Sequence, residues 1–297
     1  MVIKRSNKHS FFLVLSTLFF VGGLSNGFAN AEEIQNTPTE EIHILSEELV
    51  SPVQFNTLER IKLQNLGFST EEINSMTVEE YNDFKDLYGS NLALDENYYK
   101  LTQDIPYSDP AVEEISKAQA INEINTTKLG RGTNSKTTGY LKMTTSSSKL
   151  SNGNTLIKNS FTWLKTPNMK LTDVVAITHS TSSVKIPNTD KFSYKYTDGK
   201  GIHSVGAKST TKNNKGIAKK FNLKDLGINM APYNHNGYLS VEVTKGNKYD
   251  ITANAFGHYT HITAGVIYSL DIKTGSIGVG VAGIKNTMEN TMIKFNY

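Results

Sequence analysis

From residue 137 onward, apolar and polar side chains alternate with a period of two, the spacing of half-buried β-strands. The clearest run lies near the end. Ile262, Ala264, Val266, Tyr268, Leu270 and Ile272 take one phase, and Thr263, Gly265, Ile267, Ser269, Asp271 and Lys273 take the other. Lys273-Thr274-Gly275 turns the chain, and Ile277, Val279 and Val281 then continue the apolar phase opposite Ser276, Gly278, Gly280 and Ala282. The pattern predicts a β-hairpin with one apolar face and one small, polar face. A soluble sheet needs such a hairpin at its core boundary. A membrane hairpin needs the same pattern, with lipid on the apolar face and water on the other. The first arm reaches the roughly 9–11 residues a membrane strand requires, and the second is marginal. Ser- and Thr-rich tracts at 144–148 and 178–183 would suit strands that change environment.

Turn signals punctuate the rest of this half. Ser151-Asn152-Gly153-Asn154 predicts a hairpin turn between strands over 139–150 and 155–165, because Asn-Gly supplies the positive φ such turns need. Pro167-Asn168, Pro187-Asn188, Asp198-Gly199, Asn236-Gly237 and Lys245-Gly246-Asn247 mark further turns, with strands expected at 174–177, 192–196 and 238–244. A short helix is expected at 223–226. Ile157, Phe161 and Trp163 share one strand face, which makes Trp163 a core anchor first and a sugar-stacking surface second. Residues 137–297 therefore predict an all-β sandwich or barrel-like domain.

The preceding part reads as helical, for an α+β chain overall: a small N-terminal helical region followed by the β domain. Phe55, Leu58, Ile61, Leu63 and Leu66 keep near-helical spacing up to Gly67, a C-cap residue. Ser69-Thr70-Glu71-Glu72 and Thr77-Val78-Glu79-Glu80 are capping boxes. Asp109-Pro110 predicts one more helix start, with Val112, Ile115, Ala118, Ile121 and Ile124 as its stripe. The stretch Leu66-Gly67-Phe68-Ser69 with Glu71, Glu72, Ile73, Met76, Thr77, Glu79, Glu80 and Tyr81 resembles short helical segments of secreted proteins from Bacillus-like Gram-positive bacteria, and the C-terminal half is similar to exported proteins of that group. The resemblance implies the compartment and no activity.

The first residues agree. Lys4, Arg5 and Lys8, an apolar run over 11–21 and Ala29-Asn30-Ala31 predict a signal peptide over 1–31 cut after Ala31. The expected divisions are then a flexible acidic stretch over 32–53, an acidic helical region over 54–125, a basic linker over 126–136 and the basic β domain over 137–297. The mature chain is expected to be secreted, extracellular or cell-wall associated. It has no cysteine, so its stability must come from core burial and no thiol chemistry is open to it.

Charge sharpens this division. Residues 32–127 carry 20 acidic and 5 basic side chains, and residues 128–297 carry 8 acidic and 23 basic ones. Such asymmetry is a statement about partners. The basic half could hold the acidic half within one molecule, or an anionic polymer or membrane surface. Lys208, Lys212, Lys215, Lys219, Lys220 and Lys224 are the candidate contacts, with Trp163, Tyr194 and Tyr196 as aromatic ones. A cut at Lys128 or Arg131 would make the acidic part a removable pro-segment. Lysine dominates and Arg131 is the sole arginine after the helical region, so sequence-specific nucleic-acid recognition is not expected.

Catalytic motifs do not survive inspection, and no cofactor is expected. Gly278-Val279-Gly280-Val281-Ala282-Gly283 copies a dinucleotide glycine pattern, yet the 14 residues after Gly283 cannot supply the helix and second strand the motif requires. His258 and His261 are the candidate metal ligands, but residues three apart on a strand point to opposite faces, and no acidic residue lies within seven positions. Pairs among Asp173, Asp190, Asp198, Asp225, Glu242, Asp250, Asp271 and Glu289 remain open to hydrolytic chemistry. Three functions follow: a non-enzymatic protein binding an anionic cell-envelope or host-cell surface, a pore-forming β-toxin with an acidic restraining segment, or a secreted metal- or carboxylate-dependent hydrolase.

Overall fold

A computed structural model of the chain describes residues 38–104, 111–127, 136–167, 170–225 and 232–297. The leader with Ala31, the Asp109-Pro110 helix start, and Lys128 and Arg131 lie outside those residues. In chain order the elements are β1 (Thr39–Ile42), β2 (Glu47–Val50), α1 (Thr57–Asn65), α2 (Thr70–Asn74), α3 (Val78–Phe84), β3 (Gly89–Asp104), β4 (Ala111–Ile115), α4 (Lys117–Thr127), β5 (Lys136–Leu150), β6 (Thr155–Lys165), β7 (Thr172–His179), β8 (Ser183–Lys185), β9 (Lys191–Asp198), β10 (Gly201–Val205), β11 (Ser209–Asn213), β12 (Gly216–Asn222), β13 (Tyr233–Lys245), β14 (Thr252–Lys273), β15 (Ser276–Thr287) and β16 (Thr291–Asn296).

The strands form two antiparallel sheets. One has seven strands in the order β1-β11-β12-β7-β14-β15, with β16 also paired to β14. The other has nine in the order β2-β10-β9-β13-β6-β5-β3-β4, with β8 also on β13. Their inner faces share one core. Val175, Ile177, Ile217, Phe221, Ala255 and Tyr259 of the first meet Leu141, Met143, Ile157, Phe161, Trp163 and Leu239 of the second. The alternation read from the sequence places these residues there, because successive strand side chains point to opposite faces.

Each sheet also carries a layer on its outer face. On the nine-stranded sheet, Leu63, Leu66, Phe68, Ile73, Met76 and Phe84 of the helical segment pack against Leu150, Leu156 and Tyr238. On the seven-stranded sheet, part of the β14–β15 hairpin packs over β7 and β12.

A separate N-terminal helical region is not what forms. Three short helices are present, each opened by a capping box, at Asn56/Glu59, Ser69/Glu72 and Thr77/Glu80. The chain then turns to strand. β3 pairs with β5 along its length and with β4 on its other side, so residues 89–104 and 111–115 belong to the nine-stranded sheet. Where a helix over the Val112–Ile124 stripe was expected, 111–115 is strand and α4 starts after Ser116, whose hydroxyl accepts the Gln119 N–H. Ile115 and Ala120 then join one small cluster with Tyr98 and Tyr140. No helix forms at 223–225 either. Leu223 is drawn into the inter-sheet core, and its N–H bonds the Leu171 carbonyl.

The acidic start of the described chain is a strap. β1 adds to the edge strand β11, and β2 adds to the edge strand β10. One extended segment thus covers an open edge of both sheets, where unpaired backbone groups would otherwise invite another strand.

Candidate functional site

The β14–β15 hairpin is built unlike the rest of the sandwich. Straight, β14 would carry Lys273 about 55 Å from Phe256 at the usual strand rise. Instead the hairpin turns back over its own sheet. Thr178 lies opposite Phe256 in the β7–β14 ladder, and its Oγ1 accepts the N–H of Gly275 in the hairpin turn at 3.1 Å. Asn213 Nδ2 donates to the Ile272 carbonyl at 2.9 Å, and Asn290 Nδ2 donates to the Gly275 carbonyl at 2.8 Å.

Two features allow the fold-back. Gly265 and Gly283 face each other across the ladder with φ of +95° and +150°. A Cβ on either would collide with the carbonyl oxygen of Ala282 or Ala264, so the bend needs glycine on both strands. Two β-bulges flank it, between Ile262 and Ala264 and between Ile267 and Ser269. Each inserts one residue and inverts the side-chain phase.

The bulges correct the simple alternation. Val266 and Tyr268, expected on the apolar face with Ile262 and Leu270, are 70% and 73% exposed. Ile267, assigned to the polar phase, turns inward. The buried face thus comprises Ile267, Leu270, Ile272, Ile277, Val279 and Val281, against Val174, Ala176, Ala218 and Ile262. The opposite face of the distal arms carries Ser269, Asp271, Lys273, Ser276 and Gly278, all exposed.

His258 lies under the hairpin turn. Its Nε2 is 2.9 Å from Thr178 Oγ1, and its Nδ1 bonds Asn290 Oδ1. Burial lowers its pKa to about 4. His261 points to the other side of the strand, as the spacing requires. There Asp173 Oδ1 lies 2.8 Å from its Nδ1, and the ring sits edge-on to Trp163. The two histidines therefore share no metal, and among the described residues no group of three His, Asp or Glu side chains could hold one.

The lysine set does not form an open cationic patch. Lys212 pairs with Glu41 at 2.6 Å, Lys220 with Glu40 at 2.6 Å, and Lys224 with Glu47 at 2.7 Å. Lys219 reaches Asp190 at 2.7 Å. Lys208 is exposed and Lys215 half-buried. Three of the six thus meet carboxylates of the strap. Burial alone would raise Glu40 and Glu47, but Lys220 with Ser209, and Lys224 with Tyr196, hold both below the ordinary carboxylate value. The aromatic candidates are unavailable to an external ligand. Trp163, Tyr194 and Tyr196 are all buried, and the Trp163 indole N–H donates to the Tyr259 hydroxyl at 3.1 Å.

Two buried lysines have functions the spacing did not announce. Lys158 Nζ bonds both carboxylate oxygens of Glu72 at 2.7 and 2.8 Å, and Lys195 Nζ bonds Glu80 at 2.7 Å. Each glutamate is also the acidic residue that closes a capping box, three positions after its N-cap. Burial would raise the Glu72 carboxyl, yet Lys158, the Ser69 N–H and the Ser160 hydroxyl bring it below its usual value. A lysine on the face that also carries Leu156 was the available signal.

Among the described residues, the one carboxylate pair marked by a raised pKa is open to solvent. Burial, then Glu289 and Asp95, raise Glu114, but Glu114 and Glu289 are both exposed. A cavity of about 110 Å³ beneath the helices, reaching Phe68, Glu72, Glu96 and Lys142, is below the size of an ordinary ligand pocket.

No family model and no curated protein matches the chain. Among solved structures, it is similar to the collagen-binding domain of the Erysipelothrix rhusiopathiae surface protein RspB, at 5% identity and a TM-score of 0.26 over 53% of this chain and 65% of that one. A structure described as a pore forming protein aligns at 8% identity and a TM-score of 0.21, over 70% of this chain and 96% of that one. A structure of manganese lipoxygenase of Gaeumannomyces graminis with part of zonadhesin of Komagataella pastoris aligns at 8% identity and 0.25, over 70% and 87%. Likenesses this distant carry no functional argument.

Proposed function

We propose that this chain is a secreted membrane-acting protein of the pore-forming kind, with the β14–β15 hairpin as its inserting element. The observation that carries the proposal is the hairpin's construction. Six apolar side chains on one face are packed against the outer face of the sheet, small and polar ones face water on the distal arms, Val266 and Tyr268 face water nearer the bend, and a paired-glycine bend joins the flap to its sheet. Lifted and straightened, the same hairpin offers an apolar face to lipid and a polar face to a lumen. One hairpin cannot satisfy its edges in a bilayer, so several copies must close a barrel. The test uses single cysteines, unambiguous in a chain that has none. With vesicles, polarity-sensitive labels at Ile277 and Val279 should report lipid and those at Ser276 and Gly278 water, with concurrent dye release. Four labels that report water, with no release, would remove the proposal.

We further propose that the acidic strap docks on the basic part as a restraint. The pairs Glu40–Lys220, Glu41–Lys212 and Glu47–Lys224 support it. A cut at Lys128 or Arg131 would leave β3 paired to β5, so the restraint is assigned to 38–50 and not to everything before the basic linker. Replacing Glu40, Glu41 and Glu47 together by Gln should strengthen binding to anionic vesicles at low salt. Binding that is unchanged would count against the strap as the mask of these lysines.

A further inference from the structure

We infer that His258 is a proton-operated latch on the hairpin: uncharged, it closes a ring of hydrogen bonds on Gly275, and an added proton reverses one of those bonds, leaves the Thr178 hydroxyl hydrogen without an acceptor and loosens the flap. The use of such a latch rests on the membrane reading above, whereas its geometry does not.

The donors and acceptors around the ring are determined one by one. Asn290 Nδ2 donates to the Gly275 carbonyl at 2.8 Å, which leaves Asn290 Oδ1 as the acceptor facing His258. Nδ1 of His258 therefore carries the hydrogen, and Nε2 is the lone-pair nitrogen. The Thr178 hydroxyl, 2.9 Å away, donates to Nε2 and accepts the Gly275 N–H at 3.1 Å. Both backbone polar groups of one turn residue thus return to a single imidazole.

A second proton on Nε2 reverses this. The Thr178 hydroxyl must then accept from the ring, and its own hydrogen loses its acceptor. The charge arises at a residue 1% exposed, with two neutral partners and no carboxylate bonded to it. Charged and titratable groups lie on every element packed there. Asp271 and Lys273 of the hairpin pair with each other at 3.0 Å. Lys215 sits on the β11–β12 turn, Glu289 precedes β16, His179 ends β7, and His261 points to the opposite face of β14. None of them contributes to the shift at His258, which comes from burial and is partly offset by the Asn290 bond.

The sign follows. A lifted hairpin exposes His258 and returns it to its ordinary value near 6.5, so the open state takes up the proton more readily. The latch is at full strength above pH 6.5 and weakens as the pH falls towards about 4. The limit is about 300-fold in the closed-to-open ratio, for a separation of about 2.5 pH units. His179 and His235 are also buried with lowered pKa values, so acid loads the sandwich as well, and the two effects must be separated.

Hydrogen exchange on the full chain without vesicles separates them. Between pH 7 and 4.5, after correction for intrinsic rates, protection of 266–282 should fall by tens of fold or more. Amides of 174–177 and the emission of the lone Trp163 should hold. His258→Gln, which can donate and accept but cannot gain a proton, should flatten the response of 266–282. Thr178→Val should deprotect that segment at neutral pH. A His258→Gln chain with the parent's pH profile overturns the latch, as does a Thr178→Val chain as protected as the parent at pH 7, or a segment that opens only together with 174–177. Dye release accompanied by flat exchange would remove the latch and leave the membrane reading. Acid opening in a chain that never permeabilises vesicles would do the reverse.

Discussion

The two outer layers of the sandwich are fastened in different ways. The helical layer on the nine-stranded sheet combines an apolar interface with two buried ion pairs, Glu72–Lys158 and Glu80–Lys195. The hairpin layer on the seven-stranded sheet combines a smaller Val, Ile and Ala interface with neutral hydrogen bonds at its tip. Lifting the helices must separate both ion pairs, so charge attraction as well as apolar contact holds the first layer in place. Nothing comparable opposes lifting of the second, whose tip bonds can be replaced by water. A clamped layer and a releasable one thus lie on opposite sides of a single core.

The clamped layer is most vulnerable at Lys158. Lys158→Ala should destabilise the whole fold by about 3–5 kcal/mol, because Glu72 is left buried and unpaired. Denaturant unfolding followed by Trp163 emission measures this. Adding Glu72→Gln, which keeps the capping box, should recover most of the loss. If the single variant costs under about 1 kcal/mol, the helical layer is not clamped by this pair.

Ile272→Ala probes the other layer. It should favour the open hairpin by about 2 kcal/mol, at the low end for a buried Ile-to-Ala change, since the hairpin can lift instead of enclosing a cavity. Protease susceptibility or exchange of 266–282 should rise while the Trp163 unfolding midpoint stays put. A midpoint that drops by the full amount would show that the flap and sandwich unfold as one unit. Gly265→Ala should act in the same direction by about 1–3 kcal/mol, because an alanine is strained at a φ of +95°.

The smallest effect is expected at the strap. Each Glu-to-Gln change at Glu40, Glu41 or Glu47 should cost no more than about 1 kcal/mol, and molar salt should erase the difference. Glu40 and Glu47 are held below the ordinary carboxylate value, so their contribution is present in full above that value and is lost as the pH falls from it through their lowered folded-state values. Exchange of the 39–50 amides between pH 7 and 3 would sharpen this against the hairpin, whose latch responds over pH 4 to 6.5.

Particular residues show how far the sequence was legible. The Asn152-Gly153 turn and its strands, and the Ser69 and Thr77 boxes, depend on neighbours within a few positions, and the structure has them. The stripe at Val112 to Ile124 misled because the same apolar spacing served a strand, a break at Ser116 and a helix in turn. In the candidate site, the hairpin and the phase of Leu270, Ile272, Ile277, Val279 and Val281 were readable, whereas the bulges reversed Val266, Ile267 and Tyr268. Thr178, His258 and Asn290 were not readable as a unit, since they lie on three separate parts of the fold.

The β character of the last 160 residues, the local caps and turns, the cysteine-free chemistry and the opposition of charge between the two halves are all properties of the chain read residue by residue. These follow from composition and from spacing along a few residues. That Glu72 meets Lys158 and Glu40 meets Lys220, that bulges turn Val266 and Tyr268 to water, and that the hairpin lies folded on its own sheet emerge only in the folded chain. Those outcomes rest on contacts between residues tens to hundreds of positions apart. Periodicity shows that a face must be covered without showing what covers it.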